Sequence, residues 1–135
     1  MALYDLLLQG GRTYDPETRT FAREDVAVRE GKIVLRAGEI PSESAATVLD
    51  AQGCVVSPGL IDMHIHGYLG ADASDGSFEG LRVMAEGLAR NGVTGFLPTT
   101  MTVPEDELRA AFAQIRAAMS ASRGADWRGA QGLGL

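Results

Sequence analysis

The two histidines of this 135-residue chain, His64 and His66, stand two positions apart. Successive side chains of a strand alternate faces, so on an extended segment both imidazoles project to one side, with Cα atoms roughly 6.5 Å apart. That spacing lets two ring nitrogens converge on one ion at the roughly 2.0–2.1 Å of a zinc–imidazole bond. Gly67 follows directly and frees the backbone to turn. An isolated His-x-His is an incidental pair packed in a core about twice as often as it is a ligand pair. The surroundings reverse that weighting here. The histidines end the apolar run Leu60-Ile61-Asp62-Met63-His64-Ile65-His66, which follows Pro58-Gly59. Ligands of parallel α/β folds gather at the carboxyl ends of strands, where this pair falls.

The remaining candidates are weaker. Asp62 reads as a structural residue on the face away from His64, hydrogen-bonding backbone. Asp72 and Asp75 read as solvated turn residues of a Gly/Asp/Ser-rich loop. Cys54, the single cysteine, permits neither an intrachain disulfide nor a cysteine-based zinc finger, and reads as a small buried hydrophobe before a strand. Trp127 reads as packing. Arg12, Arg19, Arg23, Arg29 and Arg36 read as solvated surface rather than a phosphate site.

The elements that must carry the pair are legible from periodicity. Leu3 to Leu8 is a short strand closed by Gly10-Gly11, and Asp15-Pro16-Glu17-Thr18 is a turn. Val26 and Val28, then Ile33 and Leu35, flank Glu30-Gly31 as a hairpin. Val48-Leu49-Asp50 and Cys54-Val55-Val56 continue the β character, and no helical period occurs before residue 60. From there the pattern changes. Leu60 to His66 predicts a strand buried in a parallel sheet. Leu81, Met84, Ala85 and Leu88 predict a helix capped by Ser77 and stopped by Asn91-Gly92. Val93 to Leu97 predicts a second strand, ended by Pro98. Thr102 to Glu105 predicts a capping box for a second helix, with a stripe at Leu108, Ala111, Phe112, Ile115 and Met119. Gly129 to Leu135 predicts the start of a third strand. The second half therefore reads β-α-β-α-β, an α/β pattern with a parallel sheet and right-handed crossovers. A complete (β/α)₈ barrel needs about 250 residues, so a barrel signature in this chain is an incomplete one.

Composition sets the class. Twelve Lys+Arg against eighteen Asp+Glu leave a net charge of −6, and Lys32 is the one lysine, which argues against nucleic acid as a partner. Met1 to Leu8 has neither a basic n-region nor a small-residue cleavage site, and no apolar run reaches the roughly 18 residues of a membrane span. A soluble cytoplasmic protein with no membrane partner is expected.

Pro58 to Gly67 resembles the strand-one metal motif of the amidohydrolase superfamily. His66-Gly67-Tyr68-Leu69-Gly70-Ala71-Asp72, followed by Gly95-Phe96-Leu97-Pro98-Thr99-Thr100, resembles more narrowly its N-acetylglucosamine-6-phosphate deacetylase family. The resemblance covers essentially the whole chain. It implies an α/β chain in two parts. Residues 1–57 would be the N-terminal strands of a small composite β-sandwich. Residues 58–135 would be the first β-α-β-α-β units of a (β/α)₈ metal-dependent hydrolase barrel, incomplete as given. It further implies a divalent metal, zinc or iron, and hydrolysis of the acetamido group of an amino-sugar phosphate by metal-activated water. His64 and His66 match the family's metal positions, and keeping both favours its two-metal variety. Thr99 and Thr100, after the second barrel strand, fall near substrate. No cofactor-binding residue besides the metal pair is implied, and full-length members are expected to be homo-oligomers.

The resemblance also marks what this chain lacks. Gln131 to Leu135 is similar to the approach to a His-x-Glu-Gly-Pro motif that supplies a carboxylate ligand, and the sequence ends there. No catalytic residue lies in the chain; the aspartate acting as general acid/base is expected downstream. Catalytic zinc typically takes three protein ligands plus water, so the chain alone is expected to lack deacetylase activity. Two alternatives stand beside this reading: another amidohydrolase, dihydroorotase-like or D-aminoacylase-like, and a non-catalytic truncated α/β module binding metal or a partner chain.

Overall fold

The computed structural model describes residues 2–134. Met1 and Leu135, which fall in the segments read as a leaderless start and a third barrel strand, lie outside the described residues. The chain forms two compact units, Met1–Pro58 and Gly59–Leu135. Among the described residues no helix is long and apolar enough to cross a membrane.

The first unit is a five-stranded sheet built on β1 (Tyr4–Asp15), β2 (Thr20–Arg29), β3 (Lys32–Ala37), β4 (Ala45–Asp50) and β5 (Val55–Val56). Strands β3, β2 and β1 are antiparallel neighbours, while β4 and β5 run parallel to successive parts of β1. The β2–β3 hairpin turns at Glu30-Gly31, both at positive φ (52° and 72°). That is the geometry whose twist matches antiparallel strands. Strand β1 is longer than its apolar stretch suggests. It does not close at Gly10-Gly11 but passes through them as a bulge, with Leu8 opposite Val26 and Gly11 opposite Glu24. Gly10 takes φ 77° there, which a side chain would resist. Leu7, Ala27 and Ile40 form the buried core. Cys54 corrects its sequence reading: it is exposed, because it sits in the turn after β4 and its amide bonds Ala51 O.

At the sheet surface Arg36 pairs with Glu24 at 2.7 Å, and Thr13 Oγ1 donates to the same carboxylate at 2.6 Å. The Thr13 hydroxyl first, and the Arg36 guanidinium second, hold the Glu24 carboxyl below its ordinary pKa. Arg12 lies over the Phe21 ring, 5.0 Å from its centroid. These arginines serve the sheet's own surface.

The second unit opens with β6 (Leu60–Ile65), then a small hairpin of β7 (Gly67–Tyr68) and β8 (Ala71–Asp72), α1 (Phe78–Arg90), β9 (Val93–Pro98), α2 (Glu105–Ala121) and β10 (Gln131–Gly132). Strands β6 and β10 both pair in parallel with β9, in the order β10-β9-β6. The alternation of strand and helix is the predicted one. Helix α1 begins at Ser77, whose Oγ accepts Gly80 N at 3.0 Å, and buries Leu81, Met84, Ala85 and Leu88, the expected stripe. Gly92 follows at φ 80°. Helix α2 departs from expectation at its start, where Pro104 is the N-cap and no side chain caps it, so the Thr102 box does not form. Its buried face is Ala111, Ile115 and Ala118, with Leu108, Phe112 and Met119 only half-buried. Ile115 and Ala118 join the α1 stripe, Phe96 of β9, Ala73 and Ala130 in the core, with Met119 packed against it. Each large side chain among them stabilises by roughly 1.5–3 kcal/mol. Trp127 packs edge-on to Phe78 and donates from Nε1 to Ala130 O at 2.9 Å.

Strand β6 corrects a second expectation. It is not buried: Leu60, Ile61 and Met63 are 65%, 58% and 77% exposed. Among the described residues β9 flanks it on one side only, so β6 is an edge strand whose apolar side chains stay uncovered.

Candidate metal centre

His64 and His66 come together at the end of β6. Their Nε2 atoms are 3.2 Å apart, with ring centroids 4.9 Å apart and planes at 84°. Each residue is held differently. His66 is half-buried and braced by backbone on three sides. Its Nδ1 lies 2.9 Å from Thr99 O, its own carbonyl accepts Ala73 N at 2.7 Å, and the neighbouring Ile65 O accepts Thr99 N at 2.8 Å. A carbonyl can only accept, so Nδ1 is the donor in this contact, and in the neutral ring that leaves Nε2 as the lone-pair nitrogen. This arrangement, a ligating imidazole oriented by a carbonyl behind it, recurs in metal sites. His64 is exposed, and its amide donates to Asp62 Oδ1 at 3.0 Å.

The donors suit a divalent cation. Two nitrogens 3.2 Å apart, each about 2.05 Å from one ion, subtend an angle of about 100°, near the tetrahedral value zinc prefers. Among the described residues no group of three or more His, Cys, Asp or Glu could hold a metal. The pair by itself could supply two nitrogen donors to an ion.

The other candidates sort plainly. Asp62 shares parity with His64 and His66, so a regular strand would put it on their face, not the opposite one. It bonds backbone, as a structural reading requires. Asp72 and Asp75 cap each other's turn: Asp72 Oδ1 accepts Ser74 N at 2.7 Å, and Asp75 Oδ2 accepts Asp72 N at 3.0 Å. Thr99 meets the site through its backbone, while its hydroxyl donates to Leu97 O at 3.3 Å. The carbonyl's role was hidden because any residue type supplies one. Replacing Thr99 with alanine is accordingly expected to leave zinc affinity within about twofold of wild type by titration calorimetry, whereas a role for the hydroxyl would weaken it further.

The loop beyond the histidines is fixed against α1. The β7–β8 turn places Leu69 and Gly70 at φ 54° and 81°, and Tyr68 OH accepts a hydrogen bond from Asn91 Nδ2 at 2.9 Å. Gly87 makes this docking possible. A Cβ there would lie 2.5 Å from Leu69 Cδ1 and 2.7 Å from Tyr68 Cε1.

No family model matches the chain. Among curated proteins it is 38% identical over 92 residues to the N-acetylglucosamine-6-phosphate deacetylase of Bacillus subtilis, a match covering 67% of this chain and 23% of that protein. It is 48% identical over 61 residues to a dihydroorotase of Streptococcus pneumoniae, covering 45% of this chain and 14% of that protein. The chain thus spans under a quarter of the length of either relative. Among solved structures, the N-acetylglucosamine-6-phosphate deacetylase of Pasteurella multocida superposes with a TM-score of 0.75 and 23% identity, over 85% of this chain and 30% of that one. The N-acyl-D-glutamate deacylase of Bordetella bronchiseptica, solved with zinc and a phosphonate inhibitor, gives a TM-score of 0.54 and 29% identity, over 73% of this chain and 19% of that one. In sequence and fold the chain resembles the amidohydrolase superfamily, and within it N-acetylglucosamine-6-phosphate deacetylase over the part that the two share.

Proposed function

We propose that this chain is the opening part of a metal-dependent amidohydrolase that removes the acetyl group of N-acetylglucosamine 6-phosphate, giving glucosamine 6-phosphate and acetate. In this reading the first unit belongs to a small β-sandwich and the second begins a (β/α)₈ barrel, in a protein that assembles as a homo-oligomer. The observation that carries it is the convergence of His64 Nε2 and His66 Nε2 at 3.2 Å, with His66 locked by the Thr99 carbonyl. His64 and His66 would each offer one lone pair to a divalent ion, zinc or iron. A bound ion of this kind supplies a water acidic enough to act as nucleophile near neutral pH. The chain's own part is to set two imidazoles at chelating distance and to keep one of them in the ligating tautomer.

A dihydroorotase-like hydrolase is the second reading, favoured by the 48% identity to the pneumococcal enzyme over 61 residues. The coding frame beyond Leu135 separates the two. His-x-Glu-Gly-Pro supports the deacetylase, a lysine placed for carboxylation in a later strand supports the dihydroorotase type, and an immediate stop codon supports a non-catalytic module. On the 135-residue chain supplied with zinc and N-acetylglucosamine 6-phosphate, acetate release is expected to equal that of His64→Ala. Turnover well above that control would show that the chain completes a site by itself.

A further inference from the structure

Strand β6 falls out of step with its partner twice: between Leu60 and Ile61 the extra residue is on β9, and between Asp62 and Ile65 it is on β6. Asp62 lies opposite Phe96 and Ile65 opposite Pro98, so three steps on β6 match two on β9. The surplus falls at Met63-His64, at the first imidazole itself. Such a bulge bends the strand, leaves a residue out of the ladder and re-aims its side chain. In a regular strand two residues at i and i+2 hold their side chains side by side, roughly 6.5 Å apart at Cα. Here the rings meet edge to face with Nε2 atoms 3.2 Å apart. The His64 amide, displaced from the ladder, donates to Asp62 Oδ1 at 3.0 Å. A carboxylate accepting the amide two residues on is the Asx geometry that competes with regular backbone pairing.

We propose that Asp62 is the positioning residue of the imidazole pair. By accepting the His64 N–H it holds the bulge that swings the His64 ring onto Nε2 of His66. This rests on reading the pair as metal ligands, and it assigns a division of labour within it. Thr99 O fixes His66 through its ring, and Asp62 fixes His64 through its backbone. Asp62 acts as a hydrogen-bond acceptor and not as a charge, since the useful atom is one oxygen engaged with an amide. Asparagine keeps that oxygen; alanine and leucine do not.

The test uses the 135-residue chain with zinc alone as the probe, and compares wild type with Asp62→Asn, Asp62→Ala and the double variant His64→Ala/His66→Ala. Zinc affinity is measured by competition with a chromophoric chelator. Metal-free imidazole resonances are recorded by long-range ¹H–¹⁵N correlation. Expected is a loss of about 10–100-fold in affinity for Asp62→Ala, the range typical of an outer partner of a ligand, with Asp62→Asn within about threefold of wild type. In the metal-free spectra Asp62→Ala shifts the His64 ring nitrogens and leaves the His66 Nδ1–H tautomer in place. Wild-type affinity and wild-type His64 resonances in Asp62→Ala would overturn the proposal, as would an Asp62→Asn variant as weak as Asp62→Ala, which would mean that charge matters and not the acceptor. If Asp62→Ala does not fold, Asp62→Leu, similar in size and without an acceptor, replaces it. Wild-type zinc binding no tighter than that of the double variant defeats the metal reading alone. The metal-free spectra still decide whether Asp62 orients His64.

Discussion

Replacing His66 with alanine is expected to lower zinc affinity by at least about 100-fold, more than the change of any outer partner of the pair. Chelation explains the size. Two nitrogens already 3.2 Å apart bind one ion without the entropic cost of bringing them together, and a single imidazole has no such advantage. His64→Ala removes one donor as well and is expected to match it in zinc affinity. Stability separates the two variants. His66→Ala also strips the Thr99 carbonyl of its partner at 2.9 Å, at a cost of roughly 1 kcal/mol, whereas His64 is exposed and its ring supports no backbone group. Calorimetric zinc titration beside urea unfolding of both variants checks this. Undiminished zinc affinity in either variant would remove the pair from the metal site.

The second large effect lies in the first unit. Asp25 is 3% exposed, and its carboxylate spans the fold: Oδ1 accepts Gly10 N at 2.7 Å in the β1 bulge, and Oδ2 accepts Ile40 N at 2.8 Å beyond β3. Each such charge-assisted bond contributes roughly 1.5–3 kcal/mol, so Asp25→Ala is expected to cost roughly 3–5 kcal/mol. A unit of this length has a total stability of the same order. Asparagine should recover little, because its NH₂ would face one of the two amides donor to donor. Hydrogen exchange at Leu7 and Ala27 reports the outcome, and protection retained in Asp25→Ala would show that the sheet closes without the clamp.

Much of this was legible in the residues. The α1 stripe with its Ser77 cap, the Glu30-Gly31 hairpin and the paired histidines follow from periodicity and turn chemistry, which are local. What escaped was set elsewhere in the chain. The length of β1 depends on pairing with β2, β4 and β5 along its course, so Gly10-Gly11 became a bulge and not an end. Helix α2 starts on Pro104 without its box and turns Ala118 inward in place of Met119, because its rotation is decided by packing. At the site, His-x-His gave the two imidazoles and not their aim. The Asp-x-His spacing was the one available sign that the strand would buckle there. Thr99 left no sign, since what it contributes is a carbonyl.

The exposed flank of β6 has a colloidal consequence. Natural edge strands discourage stacking with a charge or a proline along the rim. From Leu60 to His66 the one formal charge is Asp62, and its carboxylate is occupied with the neighbouring amide. The strand that aims the imidazoles thus leaves its outer rim without a gatekeeper, bordered by Leu60, Ile61 and Met63. Monodispersity should therefore fall with rising concentration, and a lysine at position 61 would be the economical guard.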